Sequence, residues 1–184
     1  MTAPADHGGG GATPAPPLHP DVLPLAGLIG TWRGEGAGRY PSITPFRYTE
    51  EVTFRSSGKP FLAYEQRTWA LDDGRPLHSE AGYWRAKPDG AIEVVMAHPT
   101  GIVEVLEGRL DGDRLELSST TVAGTTTAVE VTALRRVFEL RGDVLAYTLA
   151  MAAVGQPLEH HLAAELRRVP PAETGRVRTG TAER

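Results

Sequence analysis

Six histidines and no cysteine set the chemistry open to this 184-residue chain. Without thiols there is no disulfide, no thiolate metal ligand and no Cys-x-x-Cys-His haem attachment, so any metal must be held by imidazole or oxygen. His7 lies in a Pro- and Gly-rich leader and His19 just before the first apolar segment. His78 follows Pro76-Leu77, His98 opens the turn His98-Pro99-Thr100-Gly101, and His160-His161 stand side by side. His98 with Glu104, or His78 with Glu80, offers two donors, too few for a closed structural zinc site. No Ser-His-Asp arrangement and no phosphate-binding loop is present. Adjacent strand residues face opposite ways, so one histidine of the 160–161 pair points inward and the other outward. His160 shares parity with Leu158, Leu162, Ala164 and Leu166, while His161 shares it with Glu159, Ala163, Glu165 and Arg167. On hydrophobic pattern alone His160 is the buried member, although periodicity does not decide which one serves a ligand.

A second signal is the stretch Gly30-Thr31-Trp32-Arg33-Gly34-Glu35-Gly36-Ala37-Gly38-Arg39-Tyr40-Pro41. As a strand it puts Trp32, Gly34, Gly36, Gly38 and Tyr40 on one face, leaving that face nearly bare. Glycine weakens a strand interior and marks a bend, a bulge or a close approach to the backbone. Either a sharp bend of a first barrel strand or a flat ligand would account for it.

The elements that must carry these residues follow from period-two patterning between turn clusters. After a short helix or turn over Val22 to Ile29, strands are predicted over 30–41, 46–56, 61–71, 77–86, 91–97, 102–110, 114–122, 128–140, 144–153 and 158–168. Such a meander of ten antiparallel strands favours an all-β up-and-down barrel of the lipocalin or fatty-acid-binding kind, because closure removes exposed edges. A two-sheet sandwich of the same strands is the alternative. Residues 1–20 and 169–184 read as disordered tails around one domain, 21–168. A net charge of −4 without a basic stripe argues against a nucleic-acid surface. No apolar run reaches membrane-span length and no signal sequence is evident, so a cytoplasmic protein, monomer or homodimer, is expected.

The extended motif Gly30-x-Trp32-x-Gly34-x-Gly36, with Gly38-Arg39-Tyr40-Pro41 and Pro45-Phe46, resembles the nitrobindin family. So do Gly58-Lys59-Pro60, Pro76 to Tyr83, Ala97 to Gly101 and the terminal Met151 to Leu162. The resemblance implies a ten-stranded barrel binding ferric haem b, with a histidine as proximal iron ligand. By motif that ligand maps onto His161, against the parity reading. It further implies cofactor contacts from Gly30, Thr31, Trp32, Arg33, Gly34, Glu35 and Gly36, and from Ser42, Thr44, Leu77, His78 and Met151. Ala163 and the bare first strand would lie beside the planar macrocycle. Some relatives carry a lysine where Val129 stands, so propionate partners would be sought among Arg39, Arg67 and Arg135. The implied chemistry is nitric oxide binding and isomerisation of peroxynitrite to nitrate, with His161 as the catalytic metal ligand. Two other readings remain: a carrier of a fatty acid or other small hydrophobe, and an interaction module whose ligand site has decayed.

Overall fold

Period-two burial governs almost every strand of the computed structural model, which describes residues 16–171. The segments 1–15 and 172–184, on which most of both expected tails fall, lie outside the described residues. A 3₁₀ segment, Pro20–Leu28, leads into ten strands: β1 (Gly30–Tyr40), β2 (Ile43–Ser56), β3 (Leu62–Ala70), β4 (Pro76–Ala86), β5 (Ala91–Ala97), β6 (Ile102–Asp111), β7 (Arg114–Gly124), β8 (Val131–Arg141), β9 (Val144–Ala153) and β10 (Glu159–Arg168). Each pairs antiparallel with its sequence neighbours, and β1 pairs with β10, so the sheet closes into a barrel rather than a sandwich. Two boundaries differ from the sequence pattern. β2 begins at Ile43 because a register shift opposite Gly38 to Tyr40 accommodates Pro45, which cannot donate to a ladder. β8 begins at Val131 because Thr125 to Ala128 close a turn, Ala128 N donating to Thr125 O at 3.0 Å.

One end of the barrel is plugged. Val22, Leu25 and Leu28 of the 3₁₀ segment are buried against Trp32, Phe54, Trp84 and Phe138. The Trp32 indole N–H donates to Leu28 O at 2.8 Å, and the Arg168 guanidinium lies 4.1 Å over the Trp32 ring. The bare face of β1 is filled by the protein itself. A Cβ on Gly34 would lie 2.0 Å from Glu165 O of β10, one on Gly36 would lie 2.3 Å from the Tyr48 ring, and one on Gly38 would lie 2.3 Å from the Phe46 ring. The glycines thus let β10 and two aromatic rings of β2 close against β1.

Candidate functional site

At the opposite end lies a cavity of about 870 Å³, within the range of small-molecule and cofactor pockets, roughly 300–1,000 Å³. Its walls are apolar, with Phe46, Leu77, Leu134, Leu149, Met151 and Leu162 among them, and Arg47 and Arg75 line its mouth.

His161 reaches this cavity through a β-bulge. Along β10, His160 pairs with Ala150 and Leu162 pairs with Leu149, so His161 is an extra residue between consecutive partners. A bulge interrupts alternation, and His161 and Leu162 both line the cavity although they are adjacent. His160 is exposed and lines a shallow outer cleft with Ala37, Arg39 and Ala163. The parity reading that buried His160 fails because it assumed an uninterrupted strand, and Ala163 pairs with Ala37 on the outer face rather than beside a cavity ligand.

The Gly38-to-Pro41 stretch holds the His161 ring. Nδ1 lies 3.2 Å from Arg39 O, and since a carbonyl accepts, the proton belongs on Nδ1. The lone pair then resides on Nε2. Tyr40 packs edge-on against the imidazole, centroids 5.4 Å apart. The Tyr40 hydroxyl accepts from Ala153 N at 2.8 Å and lies 3.2 Å from Met151 O and Ala153 O, anchoring β9 beside the bulge. Burial holds the His161 imidazole below its ordinary pKa, helped by His160 and opposed by the Arg39 carbonyl. The ring is therefore a neutral donor, suited to a metal.

Of the other sequence-derived residues, Thr44, Leu77, His78 and Met151 line the cavity with His161. Gly30, Thr31, Trp32, Arg33, Gly34, Glu35 and Gly36 do not. Trp32 belongs to the plugged end, Arg33 and Glu35 point outward to Glu51 and Arg47, and Thr31 faces Thr53. Ser42 sits exposed in the β1–β2 turn, outside the lining. Arg39, Arg67 and Arg135 are absent from the lining too, and Arg47 and Arg75 are the mouth cations.

The cavity floor is an ionic network that the strand pattern had not singled out. Arg136 donates from Nη1 to Glu80 Oε1 at 2.7 Å and from Nη2 to Glu80 Oε2 at 2.9 Å and Glu104 Oε1 at 3.0 Å. Tyr64 donates to Glu80 Oε1 at 2.7 Å, while Gln66 and Tyr147 donate to the two oxygens of Glu50 at 2.8 and 2.9 Å. Burial pushes the carboxyls of Glu80 and Glu104 up, but the Arg136 charge outweighs it and holds both below the usual carboxylate range. Glu50, farther from that charge, is pushed by burial up to about 7. Burial also raises the hydroxyls of Tyr48, Tyr64 and Tyr147, aided by the neighbouring carboxylates, so they remain neutral donors. His78 is held low, chiefly by burial. A signal for the network existed: Glu50, Glu104 and Arg136 share strand parity with apolar neighbours two residues away, such as Tyr48, Leu106 and Phe138.

Comparison with known proteins fits this geometry. The model of the THAP4-like, heme-binding beta-barrel domain family matches residues 21–168. A protein named peroxynitrite isomerase from Nocardia farcinica is 52% identical over 159 residues, covering 84% of this chain and 95% of that protein. Peroxynitrite isomerase 2 from Mycobacterium avium is 54% identical over 155 residues, covering 82% and 96%. The crystal structure of Rv2717c from M. tuberculosis superposes with a TM-score of 0.79 at 49% identity, covering 84% of this chain and all of that one (100%). With the cavity, the bulged histidine and these matches agreeing, the chain belongs to the THAP4-like, heme-binding beta-barrel domain family, as its nitrobindin-like motifs indicated.

Proposed function

We propose that this protein binds haem b in the barrel cavity with ferric iron on His161, takes up nitric oxide, and isomerises peroxynitrite to nitrate. The observation that carries this reading is the His161 imidazole, held at Nδ1 by Arg39 O and lining an apolar cavity of about 870 Å³. A metal-bound histidine characteristically donates its second ring N–H to a carbonyl or carboxylate, which fixes tautomer and orientation. The apolar walls suit the face of a macrocycle, and Arg47 and Arg75, exposed and paired with Glu35 and Asp73, are the lining cations that could turn to its propionates. When bound, haem would supply a Lewis-acidic iron for a small anion, tuned by its protein ligand and by the polarity of the pocket.

The chain's own contribution is to position and exclude. Arg39 and Tyr40 orient the imidazole, Leu77, Leu149 and Met151 give the cavity apolar walls that would exclude water from a bound macrocycle, and the bulge turns His161 inward. Isomerisation conserves atoms and charge, so no reductant or net proton source needs a place in the site. The names of the Nocardia and Mycobacterium relatives support the substrate. A fatty-acid carrier is disfavoured by the floor: its buried cation, Arg136, is already shared between Glu80 and Glu104 and is not free for a carboxylate headgroup.

Titration of the purified protein with ferric haem, followed at the Soret band, tests the assignment. Wild type and His160→Ala are expected to saturate at one haem per chain and His161→Ala to fail. Equal saturation by all three would place the ligand elsewhere. For the loaded protein, stopped-flow decay of peroxynitrite should accelerate with nitrate as product, and an unchanged decay rate would sink the isomerase reading.

A further inference from the structure

The two donor pairs that look separate in the sequence converge on the cavity floor. His78 on β4 and His98 after β5 place Nε2 and Nδ1 3.0 Å apart, and Glu80 Oε2 lies 3.9 Å from the first and 3.5 Å from the second. These atoms make a triangle with edges of 3.0, 3.5 and 3.9 Å. A tetrahedral zinc with bonds of about 2.0–2.1 Å has ligand–ligand edges of about 3.3–3.4 Å. The observed edges bracket that value, so small side-chain adjustments would suffice, with no movement of the strands.

We propose that His78, His98 and Glu80 form a divalent-cation site, of the two-imidazole, one-carboxylate type, separate from His161. Three further observations support it. Glu80 Oε2 accepts one hydrogen bond, from Arg136, and retains a second lone pair for an ion. The His98 side chain is 6% exposed, and its Nε2 lies 2.7 Å from Glu104 Oε1, though too far off the N–H axis to count as hydrogen-bonded. With Nδ1 on a cation, the His98 proton would sit on Nε2 beside Glu104, and a small rotation of the ring would aim it at that carboxylate, the arrangement that orients metal-bound histidines. Finally, with neutral imidazoles the formal charges of Glu80, Glu104 and Arg136 sum to −1. A dication reverses that sign, and an anionic fourth ligand such as hydroxide restores neutrality. His78, His98, Glu80 and Glu104 all line the cavity, so the fourth position has access to solvent and to small anions.

This site does not depend on the haem assignment. The test is titration of haem-free protein with Co(II), following the visible bands of a four-coordinate ion, and with Zn(II) by calorimetry. Wild type and His161→Ala are expected to bind one ion per chain, and His98→Ala and His78→Ala to lose saturable binding. Glu104→Gln should weaken affinity by about 10–100-fold, the size of effect seen when a supporting carboxylate is removed. Because the floor variants can lose their fold, paramagnetic shifts of the His78 and His98 ring protons on adding Co(II) to wild type give a second readout. Absence of a saturable Co(II) signal in wild type, or shifts confined to His160 and His161, overturns the proposal. A wild type that binds haem but not Co(II) would leave the haem reading intact and sink this one.

Discussion

Glu50 shows how much one buried carboxyl can decide. It accepts from Gln66 and Tyr147, yet burial lifts it to about 7, so the folded protein holds a proton there that the unfolded chain gives up near 4.5. Its contribution to stability is therefore full below about pH 4.5 and is lost as pH rises through 7. Glu50→Gln, which stays neutral, should remove that loss. The stability of the variant relative to wild type should rise across this window by up to about 3 kcal/mol, read from denaturant midpoints at successive pH values. Parallel profiles for the two proteins would assign the titration elsewhere. Individual site residues were unevenly legible. His161 emerged from motif resemblance, but the Glu50, Glu80, Glu104 and Arg136 network did not, since its partners lie far apart in sequence, Glu80 and Arg136 by 56 positions.

Among the strands, β10 carries the candidate iron ligand and β1 braces it through Arg39 O and Tyr40. The glycines of β1 were legible as a bare face, whereas what covers them was not. Rings from β2 and backbone from β10 do so, and the obstacles differ in kind. An added methyl at Gly36 meets the Tyr48 ring at 2.3 Å, and one at Gly34 meets the Glu165 carbonyl oxygen at 2.0 Å. Gly36→Ala should cost about 1–3 kcal/mol, typical of overpacking. Gly34→Ala should cost more, because backbone in a closed ladder cannot turn aside. Urea unfolding of both variants checks the order, and Gly34→Ala being the milder change would refute this account. The bulge in β10 is the corresponding device at the ligand end: one extra residue brings His161 onto the face that Leu162 also occupies.

At the scale of the whole barrel the two ends divide the labour, one plugged for stability and one open for a ligand. Arg168 ties the plugged end together, donating to Ile29 O at 2.6 Å, Gly27 O at 2.7 Å and Asp143 Oδ1 at 2.9 Å while covering Trp32. Arg168→Ala should lower stability by about 2–3 kcal/mol, as expected for charge-assisted hydrogen bonds and a cation–π contact. Haem saturation at the other end should be unchanged. A thermal melt and a haem titration on the same sample check both halves, and a coupled loss would show that the ends are not independent. The ten strands, their order and their turns could be read from the sequence alone, because alternation and turn chemistry are local properties. The family could be read too, from residues clustered in a few motifs. How His161 turns into the cavity, what fills the glycine face and how two donor pairs meet on one floor were decided by tertiary structure. Each depends on the register between strands, and a single bulge in that register reverses which side chains face inward.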